Sequence, residues 1–104
     1  MKKSDELKNY YSIGEVSKVL GIHEQTIRMY ERKNLFSPPR NNKNIRIFSK
    51  QDILKLDLII TMTQELKMTY AGVKLVLNLA RKLNLSDEDL LDFVIKNKNT
   101  FYSG

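Results

Sequence analysis

The sequence predicts a mainly α domain in which two short helices joined by a tight turn precede a small two-stranded hairpin and further helices. Three observations carry that expectation. Apolar residues recur at helical spacing in five segments between Ile13 and Ile95. Gly21 and Asn34 stand where the first two segments must stop. Pro38-Pro39 then bars further helix, and the stretch Arg40–Phe48 is turn-prone and alternating.

Ser12-Ile13-Gly14-Glu15 has the form of a capping box. The Ser12 hydroxyl accepts from the Glu15 amide, and the Glu15 carboxylate reaches back to the Ser12 amide. Ile13, Val16 and Leu20 make one stripe, and Gly21 supplies a left-handed end. A second helix is expected from Glu24 to Lys33, with Asn34 as its stop and Leu35 packing back behind it. Ile45-Arg46-Ile47-Phe48 reads as one strand of the hairpin, with Asn44 at its left-handed turn.

A long helix over 51–66 follows, with Ile53, Leu54, Leu56, Leu58 and Ile60 inward. Thr69 caps the next, Tyr70 to Lys82, with Val73, Val76, Leu77 and Ala80 inward. Ser86-Asp87-Glu88-Asp89 forms another box, opening a helix to Lys96, about 16 Å long at 1.5 Å per residue. Asn97 to Gly104 reads as a frayed end. The expected organisation is a flexible tail over 1–10, a domain over 11–82, and a short C-terminal helix and tail over 83–104.

The 104 residues suit one domain, and the net charge is +6. Residues 1–50 hold eleven Lys and Arg against five Asp and Glu, whereas 51–104 hold seven of each. The excess thus sits in one half, as in a module that faces a polyanion, although a solvated basic surface would read alike. The chain has no cysteine, which excludes disulfides, thiolate metal sites and thiol nucleophiles. No apolar run nears the roughly 20 residues that span a bilayer, and the start shows no secretory pattern. A cytoplasmic protein is expected, associated with the nucleoid and with no membrane partner.

At 100° per residue, Gln25, Arg28, Met29 and Arg32 share one face of the second helix, with Ile27 nearly opposite. A helix of this size fits the major groove of DNA, where Arg pairs with guanine, Gln with adenine, and Met packs on a thymine methyl. From the helix alone, a solvated outer face remains the alternative. Arg40, Lys43 and Arg46 on the hairpin could follow phosphates, or simply protect its edge. The adjacency of a helix-turn-helix and a basic hairpin favours double-stranded DNA. His23 reads as a cap-position residue, since one histidine makes no metal site. Asp87, Glu88, Asp89 and Asp92 suit the positive end of a helix dipole better than a metal. No cofactor is expected. Without a nucleophile–base pair or a Gly-rich phosphate loop, neither is an enzyme.

Several segments together resemble the MerR family of bacterial transcription regulators. Tyr11-Ser12-Ile13-Gly14-Glu15-Val16 is similar to the family's opening, and Thr26-Ile27-Arg28-Met29-Tyr30-Glu31-Arg32 to its recognition helix. Pro38-Pro39-Arg40, Arg46-Ile47-Phe48 and Asp52-Ile53 resemble its wing and the start of the next helix. Leu20-Gly21-Ile22-His23-Glu24-Gln25-Thr26 and Ala71-Gly72-Val73-Lys74 look most like the HspR branch.

The resemblance implies a winged helix-turn-helix and a repressor. Gln25, Thr26, Arg28 and Met29 would face bases, joined by Arg32 from the helix geometry. Ser17, Tyr30, Arg40 and Arg46 would hold phosphates, joined by Lys43 from the hairpin. Asn44, Phe48 and Met29 depart from the family's usual Gly, Tyr and Tyr. The resemblance also implies a homodimer, for which Leu90, Phe93 and Val94 are candidates, unless these residues fold back on the core. A chain cut from a longer protein is the other reading. A chaperone or RNA polymerase would be the further partner. Two alternatives stay open: an excisionase-like protein that bends DNA, and a protein-interaction module.

Overall fold

Ser12 opens the first helix as its residue pattern requires. The Ser12 amide donates to Glu15 Oε1 at 2.8 Å and the Glu15 amide to Ser12 Oγ at 3.1 Å, so two otherwise orphaned donors are satisfied. The structure, a computed structural model, describes residues 9–102; most of the expected tail over 1–10 lies outside the described residues. Helix α1 (Ile13–Leu20) ends at Gly21, whose φ of 69° is the left-handed conformation expected there. After a short turn, α2 (Glu24–Arg32) runs to Asn34, which also adopts a positive φ, 63°. The Leu35 amide then returns to the Tyr30 carbonyl at 3.1 Å, and Leu35 and Phe36 are buried behind the helix.

The hairpin is not formed. Among the described residues there is no strand, and the architecture is all-helical. Between α2 and the next helix the chain makes a tight loop closed by two isolated antiparallel bridges, Arg40 with Arg46 and Tyr11 with Phe48. The winged description therefore fails, for a reason in the residues themselves. Pro38 and Pro39 have no amide proton to give to a ladder. The Asn41 side-chain oxygen accepts from the Lys43 and Ile45 amides at 2.9 and 3.1 Å, so a side-chain turn replaces strand pairing. Asn44 does adopt its expected left-handed φ, 63°. Phe48 leaves the loop to exchange two 2.8 Å backbone hydrogen bonds with Tyr11 and is fully buried, its ring 6.2 Å from that of Phe36.

Helix α3 (Lys50–Ile60) starts from a second capping box, between Ser49 and Asp52. It passes into a π-helical turn, Thr61–Glu65, where the sequence pattern suggests plain helix. Thr61 and Thr63 turn their hydroxyls onto the carbonyls of Asp57 and Ile59 at 2.9 and 2.8 Å. Such back-bonding takes up acceptors of the preceding turn and accompanies the wider winding. Leu56, Leu58, Ile59 and Met62 are buried, Ile59 being one that the spacing missed; Ile53, Leu54 and Ile60 pack at the margin.

Helix α4 (Tyr70–Lys82) has the expected bounds and cap, Thr69 Oγ1 accepting from the Gly72 amide at 3.0 Å. Val73, Leu77 and Ala80 are buried and Val76 partly so. Helix α5 (Asp87–Tyr102) is longer than expected, about 24 Å at 1.5 Å per residue. The frayed end predicted from Asn97 is helical to Tyr102, helped by Asn97 donating to the Phe93 carbonyl at 2.8 Å and by Lys98 pairing with Glu65. The α3–π segment is the spine: α1 and α5 pack against it, and α4 meets its π turn. Val16, Ile27, Phe48, Leu56, Leu58, Ile59 and Val73, all fully buried, bring α1–α4 and the loop into one core.

Candidate nucleic-acid interface

Helix α2 is anchored from one side. Ile27 and Tyr30, three positions apart, are 0% and 1% exposed. On the other side lie Gln25 and Arg32, exposed, and Arg28, half-buried, its Nη2 3.1 Å from Glu24 Oε1 one turn earlier. That pair is too solvated to fix Arg28 firmly. Thr26 and Met29 sit at the helix edge facing α4, both half-buried. The Met29 sulfur accepts from the Tyr70 hydroxyl at 3.3 Å.

Two residues that the family resemblance places on phosphates are committed elsewhere. The Ser17 hydroxyl has one proton, and it is donated to the Ile22 carbonyl, where it braces the turn between α1 and α2. Tyr30 is a core residue. Thr63 Oγ1 gives its proton to Ile59, so the 3.0 Å contact between Tyr30 and Thr63 must carry the tyrosine proton. The Tyr30 oxygen in turn accepts from Gln64 Nε2 at 3.3 Å. Tyr30 thus joins α2 to the π turn, and its ring stands edge-on to Tyr70, centroids 6.4 Å apart.

The loop cations are arranged more closely than the sequence suggests. Residues facing each other across an antiparallel bridge project to the same side, and the side chains of Arg40 and Arg46 both reach Glu31 on α2. Arg46 Nε lies 2.7 Å from Glu31 Oε1, and Arg40 Nη2 lies 3.4 Å from Glu31 Oε2. Arg40 Nη1 also donates to the Asn44 carbonyl at 3.1 Å, across the loop. Lys43 is exposed at the tip. Each guanidinium keeps donors beyond those used here, since Arg has five. Glu31 is the residue that sequence reasoning passed over. It pairs with partners 9 and 15 positions away, beyond any local spacing rule.

At the C-terminal end the dimer candidates separate. Leu90 and Val94 are buried within the chain, at 7% and 5%, so the fold-back alternative holds for them. Phe93 is 56% exposed and adjoins Leu79, Leu83 and Leu85 in an apolar groove between α4 and α5. His23 is the N-cap of α2 and makes no side-chain capping bond. No cluster of three His, Cys, Asp or Glu side chains that could hold a metal ion occurs among the described residues. No described helix is long and apolar enough to cross a membrane.

A capped helix, a tight glycine turn and a second helix that is half core and half cationic surface define a helix-turn-helix protein. Comparison with known proteins narrows the class. Residues 11–91 match the MerR HTH family of regulatory proteins, and the chain belongs to that family. It is 34% identical over 86 residues to the mercuric resistance operon regulatory protein of Bacillus cereus, covering 82% of this chain and 64% of that protein. It is 32% identical over 73 residues to a protein of Streptomyces coelicolor described as the heat shock protein HspR, covering 70% and 48% respectively. It is 37% identical over 78 residues to the transcriptional regulator GlnR of Bacillus anthracis, covering 74% and 59%. The chain therefore spans about half to two thirds of the length of these relatives.

Proposed function

We propose that the chain is a sequence-specific double-stranded DNA-binding transcription regulator, a repressor of the HspR-like type. In this reading residues 11–82 are the DNA-binding unit. Helix α2 lies in the major groove with Gln25, Arg28 and Arg32 toward base edges, and with Thr26 and Met29 at its flank. Arg40, Lys43 and Arg46 rest on the adjoining phosphates. The observation that carries the reading is that the basic loop is tied to the second helix of the motif at Glu31, beside that helix's solvent-facing cationic side. One rigid unit then offers base-reading and phosphate-holding groups together, as recognition requires. The runner-up, a protein-interaction module without DNA binding, has the exposed groove around Phe93 in its favour. We assign that groove instead to homodimer contact, with Phe93, Leu79 and Leu83 in place of Leu90 and Val94.

The test is selection of bound duplexes from a random pool, repeated with Arg28→Ala. The wild-type chain should recover one consensus, and Arg28→Ala should relax it at one base pair at a cost of about 1–3 kcal/mol in discrimination. A pool that yields no consensus would remove the proposal.

A further inference from the structure

We propose that Glu31 is a positioning residue for sequence recognition: its carboxylate latches the Arg40–Arg46 loop to α2, fixing the spacing between the base-reading helix and the phosphate-holding loop. The inference rests on the DNA-binding reading above and gives a role to a residue that lies inside the recognition-helix motif but to which neither helical periodicity nor the resemblance assigned one.

Glu31 is poorly placed as a simple DNA contact. It is an acid beside cations, on a helix whose outer side also carries Gln25, Arg28 and Arg32, with Glu24 already paired to Arg28. A carboxylate there weakens attraction to phosphate, so its presence calls for a compensating effect. The geometry supplies one. Both bridge residues of the loop end on this single carboxylate, one on each oxygen, at 2.7 and 3.4 Å. The three side chains are only 20–35% exposed, so the contacts are screened less than open surface pairs. Few other restraints tie the loop tip to α2. Its backbone hydrogen bonds are internal to residues 39–47, and Ile45 is exposed rather than packed. Arg40 and Arg46 form the bridge at the neck of the loop, so without the latch that bridge and the amide hydrogen bonds beside it, Ile47 to Pro39 and Ile45 to Asn41, open more often, and the tip loses its bearing on the helix.

The consequence separates specific from non-specific binding. A specific complex needs the loop and α2 in fixed register at once, and pre-ordering two long side chains lowers its cost. A non-specific complex has no register to satisfy, so freed arginines serve it equally well. Removing the Glu31 charge must therefore strengthen non-specific binding while weakening discrimination.

The experiment compares the wild-type chain with Glu31→Gln, an isostere at a partly exposed site that leaves the core untouched. Dissociation constants are measured for the duplex that the wild-type chain selects from a random pool and for a scrambled duplex of equal length. Amide exchange is followed at Ile45 and Ile47 in the free protein. The proposal expects faster exchange at these amides, scrambled-duplex binding as tight or tighter, and a specificity ratio lower by about fivefold or more. In an Arg40→Ala/Arg46→Ala background, Glu31→Gln should no longer change the ratio. Equal shifts in both dissociation constants would show a charge effect alone and overturn the positioning role. A wild-type chain with no preference for any duplex would overturn the DNA-binding reading, and unchanged amide exchange would overturn the latch independently of DNA.

Discussion

Tyr30→Phe separates a buried tyrosine from a phosphate ligand. The substitution removes one oxygen and leaves the ring in place against Tyr70. Two hydrogen bonds are lost, the 3.0 Å donation to Thr63 and the 3.3 Å acceptance from Gln64. Their weights differ. Thr63 keeps its bond to the Ile59 carbonyl, and the exposed Gln64 amide can turn to water, so neither partner becomes a buried orphan. The net cost is then about 1 kcal/mol, which in a domain of this size lowers the thermal midpoint by about 4–8 °C. Dependence of DNA affinity on salt should not change, because no phosphate contact disappears. A phosphate-bonded Tyr30 would behave in the opposite way. Thermal melting by circular dichroism, with binding titrations at several salt concentrations, gives both quantities. An unchanged midpoint together with a salt slope shallower by about 0.9 would refute the assignment of Tyr30 to the core.

Other outcomes follow from single features. Gly21→Ala should cost about 1 kcal/mol by denaturant unfolding. No atom lies within 4 Å of the added carbon, so the whole effect is left-handed backbone strain. Asp57 has its carboxyl pKa raised from the ordinary value, first by burial and then by the Glu65 carboxylate. The folded state therefore binds that proton more tightly than the unfolded chain. The stability Asp57 offers is complete only at acid pH and is lost as pH rises through the raised value. Asp57→Asn should be the more stable form at neutral pH, with the difference closing as pH falls through the carboxylate range, read from melts across pH. On the proposed homodimer through the α4–α5 groove, Phe93→Glu should sediment as a monomer where the wild-type chain sediments as a dimer, with the fold intact, since Phe93 lies half outside the core.

The parts of this fold legible in the sequence are those decided within a few residues. The Ser12–Glu15 box, the left-handed Gly21, Asn34 and Asn44, and the Thr69 cap each depend on contacts across four positions or fewer. The misread parts depend on distant partners or on competition between local options. Alternation in Ile45-Arg46-Ile47-Phe48 suggests a strand, but the Asn41 side chain takes the Ile45 amide and pairing stops at the isolated Arg40–Arg46 bridge. The pattern places Ile27 inside, and Tyr30 shares its face, but the groups that satisfy the Tyr30 hydroxyl, Thr63 as acceptor and Gln64 as donor, lie more than thirty positions on. Glu31 is hidden in the same way, its partners lying 9 and 15 positions on. Spacing identifies the basic residues and the helix face, but not the carboxylate that joins them. The length of α5 was likewise obscured, because Asn97 and Lys98 are helical through contacts with Phe93 and Glu65.

In the proposed complex α2 and the bridged loop meet DNA as one surface, the helix at bases and the loop at phosphates. Salt titration of binding to the selected duplex, for the wild-type chain and for Arg40→Ala/Arg46→Ala, tests it most directly. The expected result is a steep inverse dependence for the wild-type chain and a slope shallower by about 1.8 for the variant, with the same consensus recovered. Identical slopes for the two proteins would contradict it.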